Sequence, residues 1–258
     1  MTMDSGELER AAAVAERACE RARKEILPRF RCVDVEFKQD GSPVTEADRA
    51  AERAIRETLR DAYPDYGLLG EEYGAEDAAS PDAPRWIIDP IDGTISFSRG
   101  IPLFGTLIAL MVEAEPVVGV IDLPVLGERY VGWKGGGCRR NGERVRASQV
   151  TDLRRCLVST GDPICFEFAG RRDVFERITR EVPLVRGYTD CFGHAMVLTG
   201  ALDAMVDADL NPWDAAATQL LAVESGGACV SRHREGGKVD LIFGSPALVE
   251  QLAAFFET

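Results

Sequence analysis

The chain has 258 residues, with 43 Asp and Glu against 30 Lys and Arg for a formal net charge of −13, and 45% of it is hydrophobic. That composition supports a sizeable buried core and excludes wholesale disorder. The acidity excludes a protein that grips phosphate backbones or anionic membranes through clustered Lys and Arg, so neither nucleic acid nor membrane is an expected partner.

The seven cysteines, Cys19, Cys32, Cys138, Cys156, Cys165, Cys191 and Cys229, are scattered and include no C-x-x-C pair. That pattern argues against a disulfide framework or a zinc ribbon. His194 and His233 are too few for a site built from several histidines. The acidic start MTMDSGELER does not read as a signal peptide, and the longest apolar run, around Leu107–Val112, is far below the roughly 20 residues that span a bilayer. A reducing, cytoplasmic setting is the expectation.

In chain order, Leu8, Ala12, Ala15, Cys19, Ala22 and Ile26 recur at helical spacing and the helix stops at Pro28. A second helix starts near Thr45, where Thr45 and Asp48 form a capping-box pattern, turns Ala51, Ile55 and Leu59 inward, and ends before Pro64. Short apolar runs at Leu68–Leu69, Trp86–Ile88, Leu103–Val112, Val117–Ile121 and Tyr130–Trp133 read as mostly antiparallel strands. Asn141–Gly142 is a hairpin signal between the Tyr130 region and Val145. Further on, Cys156–Ser159 reads as a strand, Arg171–Arg180 as a helix, and Val185 as the start of a strand. Phe192–Leu198 and Ala215–Val223 read as helices, Ala228–Ser231 and Val239–Phe243 as strands, and Pro246–Phe256 as a closing helix. The pattern predicts a mixed α/β fold with layered sheets. It divides into two subdomains, 1–150 carrying most candidate metal ligands and 151–258 completing the site, which meet near 148–155.

The segment Trp86–Thr94, WIIDPIDGT, carries the most chemistry. An apolar strand delivers Asp89, a proline turns the chain, Asp92 follows, and Gly93–Thr94 opens a helix. Two carboxylates at a strand mouth suit a hard cation such as Mg²⁺, and helix-start amides suit a phosphate oxyanion. Asp before a helix is also an ordinary cap, and D-P and D-G are ordinary turn pairs. Glu71, in Gly70–Glu71–Glu72, stands at another strand end, where a solvated acidic pair is the alternative. Asp214, in Asn211–Pro212–Trp213–Asp214, stands in the first turn of a helix, where its charge favours the helix dipole. Three acidic motifs, all at element ends, favour a shared metal site over three separate caps.

In this order and spacing, G-E-E, W-I-I-D-P-I-D-G-T and W-D-A-A-A resemble the inositol monophosphatase superfamily of Mg²⁺-dependent phosphatases. Ser42–Asp48 (SPVTEAD) and Glu224–Gly227 (ESGG) extend the resemblance, which runs from about Gly41 to the C-terminus. It implies a layered α-β-α-β-α sandwich, a homodimer, and roughly two or three Mg²⁺ ions per active site. Glu71, Asp89 and the Ile91 carbonyl would hold a first metal; Asp89, Asp92 and Asp214 would hold a second. Asp48, Thr94 and Glu71 take the catalytic roles, with Asp48 and Thr94 polarising the attacking water. Asp92, Gly93 and Thr94 would line the phosphate cradle, and Lys38 would lie near the site. The chemistry implied is hydrolysis of a small phosphate monoester by metal-activated water, without a covalent phosphoenzyme.

For the substrate, Gly100–Leu110, Val118–Gly132, Asp190–Ala195 (DCFGHA) and Ser96 resemble the histidinol-phosphate phosphatase branch more than the inositol branch. The resemblance places Asp190, Asp207 and Asp214 on the substrate side, Asp190 lining the alcohol pocket. Asp207 stands where the family usually has Glu, so its grip on the leaving alcohol is shorter. Read from the residues alone, Asp190 is equally a helix N-cap, His194 a satisfied buried histidine, Trp213 a packing residue, and Lys134, Arg139 and Arg140 a solvated turn. An inositol monophosphatase, a broader sugar or nucleotide phosphatase, and a non-enzymatic binding protein are the competing readings.

Overall fold

Helix α1, Ser5–Ile26, buries an alanine-rich face and is held at its start by a capping box between Asp4 and Glu7. The computed structural model of the chain describes residues 3–38, 41 and 43–257; Ser42 of the SPVTEAD motif lies outside them. Two short strands, β1 (Glu36–Phe37) and β2 (Pro43–Val44), pair antiparallel ahead of α2, Glu46–Ala62. The predicted capping box at α2 is present: the Thr45 side chain accepts from the Ala47 amide, and the Asp48 carboxylate accepts from the Thr45 amide. Ile55 and Leu59 are fully buried on this helix, each stabilising the fold by about 1.5–3 kcal/mol.

Strands β3 (Gly67–Gly70), β4 (Gly74–Glu76), β5 (Arg85–Asp92), β6 (Gly105–Val112), β7 (Glu115–Leu123), β8 (Glu128–Trp133), β9 (Gly137–Arg140) and β10 (Glu143–Arg144) form one sheet. Its order is β10-β9-β8-β7-β6-β5-β3-β4, antiparallel throughout except where β3 runs parallel to β5. Helix α3, Thr94–Ser98, follows β5. The hairpin at Asn141–Gly142 has both residues at positive φ, 49° and 88°, as a tight twisted turn demands. It joins β9 to β10 rather than the Tyr130 strand to Val145. The glycines after Lys134 turn the chain once more, and Tyr130–Trp133 pairs with Gly137–Arg140 instead.

The second sheet comprises β11 (Leu157–Thr160), β12 (Leu184–Arg186), β13 (Ala204–Leu210), β14 (Ala228–His233) and β15 (Val239–Gly244), in the order β12-β11-β13-β15-β14. Strand β13, which carries Asp207, is absent from the sequence reading. Its apolar run is short and broken by acids, and burial comes from flanking strands rather than from its own alternation. The helices are α4 (Pro163–Phe168), α5 (Arg172–Glu181), α6 (Asp190–Leu198), α7 (Pro212–Glu224) and α8 (Pro246–Ala253), the last continuing as a 3₁₀ turn, Ala254–Phe256.

Three apolar clusters define five layers. The first lies between α1, α2 and the eight-stranded sheet. The second surrounds α6 and α7, sandwiched between the two sheets. The third fills the space between the five-stranded sheet and α4, α5 and α8. The α-β-α-β-α sandwich is therefore the observed architecture. The ends of β3 and β5 and the starts of α6 and α7 open onto one cavity, and the start of α2 touches its lining through the Asp48–Thr94 hydrogen bond.

Candidate active site

That cavity, about 610 Å³, is lined by Lys38, Glu71, Asp89, Ile91, Asp92, Gly93, Thr94, Asp190, Asp207 and Asp214, among others. The D-P-I-D end of β5 builds its floor. Residues three apart on a regular strand point to opposite faces. Here the pairing of β5 with β6 shifts between Asp89 and Asp92, a bulge centred on Pro90, whose missing N–H costs the ladder nothing. The Pro90 carbonyl accepts the Thr106 hydroxyl at 2.8 Å, pinning the bulge. One carboxylate oxygen each from Asp89, Asp92 and Asp214 consequently lies within 4.8 Å of the others.

Asp214 reaches this group from the first turn of α7. There it also accepts the Asn211 amide at 2.7 Å, so the cap and the cluster are one residue's two tasks. Asp92 accepts the Cys191 amide at the start of α6. Asp89 and Asp92 are buried, and Asp89 Oδ1 has no hydrogen-bond partner among the described residues. Burial drives both carboxyls well above the usual carboxylate range. Glu71 and Asp92 push Asp89 further, and Asp190 and Asp214 push Asp92 further. Asp214 is raised by burial too, against the pull of its Asn211 bond. An oxygen-only set of crowded, partly unpartnered carboxylates is what a hard divalent cation neutralises, so the residues fit such a metal.

Glu71 follows β3 and faces the same cavity, outside the three-oxygen cluster. Its Oε1 accepts from Lys38 Nζ at 2.8 Å, and Glu72 accepts from the same ammonium at 2.6 Å. Burial raises the Glu71 carboxyl to about 7 while Lys38 pulls it down. Burial alone would depress the Lys38 ammonium, but the two carboxylates outweigh it and raise it.

Asp48 is fully buried at the start of α2. One of its oxygens accepts the Thr45 hydroxyl at 2.5 Å; the other accepts the Thr94 hydroxyl at 3.3 Å. The Thr94 hydroxyl also lies 2.9 Å from the Ile91 carbonyl, so its single proton is shared between the two acceptors. Burial raises the Asp48 carboxyl to about 6, against the Thr45 bonds. Gly93, at φ 85°, lets the chain leave β5 and enter α3 between these groups.

On the opposite wall, Asp190 is the first residue of α6 and not its cap, which is Thr189. It is held at φ 57°, a strained conformation for a residue with a Cβ. Its carboxylate lies against Gly93 and accepts the Thr189 hydroxyl at 3.0 Å. Burial, then the nearby Asp207, raises it to about 6. Asp207 meets His194 Nε2 at 3.1 Å, and His194 Nδ1 meets the Thr218 hydroxyl at 2.7 Å. His194 is thus the satisfied buried histidine the sequence suggests, and it fixes Asp207. Trp213 is half-buried against the middle cluster and also edges the cavity.

Three features escaped the sequence reading. Helix α4 brings Asp162 and Phe168 to the cavity; its signal is the Asp-Pro pair at 162–163, a helix start with Pro at the first position. Asp209 sits at the rim, matched by Arg234 at 2.7 Å. Glu52 and Arg56, both buried, continue the line of Asp48 along α2 at four-residue steps.

The family profile described as the inositol monophosphatase family matches residues 7–254. The chain belongs to the inositol monophosphatase family. A histidinol-phosphatase from Chlorobaculum parvum is 41% identical over 213 residues, 81% of each chain. A histidinol-phosphatase from Streptomyces coelicolor is 39% identical over 212 residues, 78% of this chain and 79% of that one. The crystal structure of the extragenic suppressor protein SuhB from Bartonella henselae superposes with a TM-score of 0.85 at 28% identity, covering 95% of this chain and 98% of the other. As a member of this family of metal-dependent phosphatases, the chain is a phosphoric monoester hydrolase. No helix among the described residues is long and apolar enough to cross a membrane, and the seven cysteines are free thiols.

Proposed function

We propose that this inositol monophosphatase family member hydrolyses histidinol phosphate to histidinol and phosphate, a step of histidine biosynthesis, with Mg²⁺ as its metal. The cluster of buried Asp89 and Asp92 with half-buried Asp214, with an unpartnered oxygen on Asp89, carries the reading. Asp89, Asp92 and Asp214, with Glu71 and the Ile91 carbonyl beside them, would hold the cations. Bound there, divalent cations supply water activation and neutralise charge on the phosphoryl oxygens.

The chain's own groups do the rest. Asp48 accepts, through or beside the Thr94 hydroxyl, the proton that the attacking water sheds; burial that holds its carboxyl near 6 suits that exchange close to neutrality. Gly93 and Thr94 turn the backbone around the phosphate. Asp190 and Asp207 orient the departing alcohol.

The alcohol side carries more negative charge than it can pair. Asp209 is matched by Arg234 and Lys238, and Asp207 has a hydrogen-bond partner in His194. Among the described residues the Asp190 carboxylate has only its neighbour's hydroxyl, and the Asp162 carboxylate has no hydrogen-bond partner. A leaving group that brings an ammonium and an imidazole complements that wall, whereas a neutral polyol leaves it unpaired. The names carried by the two bacterial relatives point the same way. Phosphate release from histidinol phosphate, inositol 1-phosphate and adenosine 3′,5′-bisphosphate, with and without Mg²⁺, tests the reading. A kcat/KM highest for histidinol phosphate and dependent on Mg²⁺ is expected. Preference for inositol 1-phosphate would move the assignment to the inositol branch, and release from none of them would favour a binding protein.

A further inference from the structure

Helix α2 carries a buried polar stripe, Asp48, Glu52 and Arg56, on the face that meets the first sheet. Asp48 reaches Thr94; the other two are spent on a different segment. The Glu52 carboxylate accepts the Glu72 amide at 2.8 Å and the Tyr73 amide at 3.3 Å. Arg56 donates from Nε to Glu52 at 2.7 Å and from a terminal nitrogen to the Gly74 carbonyl at 2.5 Å. The guanidinium also lies over the Tyr73 ring, 5.9 Å from its centre. Just before the turn, a Cβ on Gly70 would sit 2.1 Å from Glu52 Oε1, so only glycine lets the strand end close on this carboxylate.

We infer that the Glu52–Arg56 pair is a positioning device for Glu71, setting how well the site takes up its metal. This rests on the proposed role of Glu71 as a ligand. Residues 72, 73 and 74 are each hydrogen-bonded to one member of the pair, Gly70 packs closely against Glu52, and Glu71 is the residue between them. Its carboxylate position is therefore fixed by its neighbours' backbone. A buried ion pair contributes little net stability against an apolar pair of the same volume, so a purely structural purpose accounts poorly for it. Because Asp48 lies one turn away on the same helix, the stripe also holds the water-side carboxylate and the Glu71 turn in one fixed relation.

The test is Mg²⁺ binding by calorimetry on the substrate-free protein, together with the Mg²⁺ concentration that half-saturates phosphate release. Glu52→Gln keeps one acceptor and loses the other along with the charge. Its Mg²⁺ affinity is expected to fall about 10–100-fold by both measurements, as loss of an outer partner of a ligand does. KM for the phosphate ester at saturating Mg²⁺ is expected to stay within about twofold. Ile55→Val, on the same helix, controls for stability: it is expected to lower Tm without moving either Mg²⁺ value. Arg56→Lys keeps a charge beside Glu52 but lacks the fork that also reaches Gly74; a drop of about threefold or more is expected, and this variant decides the matter if Glu52→Gln does not fold. Mg²⁺ values for the folded variants within twofold of the parent would overturn the inference. Absence of Mg²⁺ binding by the parent protein would instead overturn the reading of the site.

Discussion

The backbone amide of Cys191 donates to Asp92 Oδ2 at 2.5 Å, tying the first turn of α6 to the end of β5 across the cavity. A residue from the middle helical layer thus orients a carboxylate of the eight-stranded sheet, and the same turn brings Asp190 beside it. Asp92 is committed on one side to that amide and on the other to the cluster with Asp89 and Asp214.

Asp92→Asn keeps the size and the Cys191 bond but removes the charge. We expect kcat/KM for the phosphate ester to fall at least about 100-fold at any Mg²⁺ concentration. The metal-free protein should melt at the same temperature or higher, because one of three crowded carboxylates is gone. Melting with and without Mg²⁺ checks this: the parent gains stability from the cation and the variant does not. Unchanged activity would sink the assignment of the cluster.

The raised carboxyls make the metal-free fold sensitive to pH in a definite direction. Glu71 titrates at about 7 and Asp48 at about 6, while an unfolded Glu or Asp titrates near 4. Between those values the folded state binds more protons than the unfolded one, so stability falls as pH rises. The favourable contribution is complete below about pH 4 and gone above about pH 7. In chelator, Tm is expected to fall from pH 5 to pH 7.5, at about 2–4 °C for each kilocalorie lost. Saturating Mg²⁺, which binds the deprotonated ligands, should shrink or reverse the decline. A Tm that rises with pH in chelator would contradict this account.

Much of the site could be read from sequence because its residues sit at element ends, where motifs are short and local. Asp89 and Asp92 share one nine-residue segment, Trp86–Thr94, Asp214 lies in a Pro-Trp-Asp helix start, and Thr45 with Asp48 is a local capping box. The layered fold followed from periodicity and from the family resemblance together. What stayed hidden depends on partners distant in sequence. Glu52 and Arg56 look like ordinary helix-surface charges until the turn after β3 closes over them. Strand β13 has too little apolar alternation of its own, and α4 is a six-residue helix whose burial is supplied by Phe166 and neighbouring strands. The helical pattern that begins at Phe192 falls two residues short of the start of α6 at Asp190, whose positive φ no local pattern announces.

Asp190→Asn tests whether the leaving-group wall selects charge. The neutral amide retains the shape and the Thr189 contact yet loses the attraction for a cation, which for a well-solvated mouth is worth about 1 kcal/mol and for a desolvated one more. For histidinol phosphate, KM is expected to rise roughly tenfold, and the Mg²⁺ requirement should stay unchanged. Hydrolysis of a neutral-alcohol phosphate such as inositol 1-phosphate should be equal or better. Equal losses on both substrates would mean that Asp190 serves the phosphate side instead.

Gly161→Ala probes Asp207 without touching it. Gly161 follows β11, and an added Cβ would lie 2.0 Å from Asp207 Oδ1. Its backbone is not in the left-handed region, so alanine is tolerated there and the strain falls on the neighbouring carboxylate. Asp207 is held by His194 at 3.1 Å and by the Ala208 amide at 3.0 Å. It has to swing, and a swing breaks the His194 contact. One charged hydrogen bond to the leaving alcohol is worth about 1.5–3 kcal/mol, so kcat/KM is expected to fall roughly 10–100-fold. Mg²⁺ affinity should hold, since Asp89, Asp92 and Asp214 are not displaced. His194→Asn, which leaves Gly161 intact but removes the ring from Asp207, should show a loss of the same kind. If both variants keep full activity on histidinol phosphate, Asp207 does not hold the leaving group.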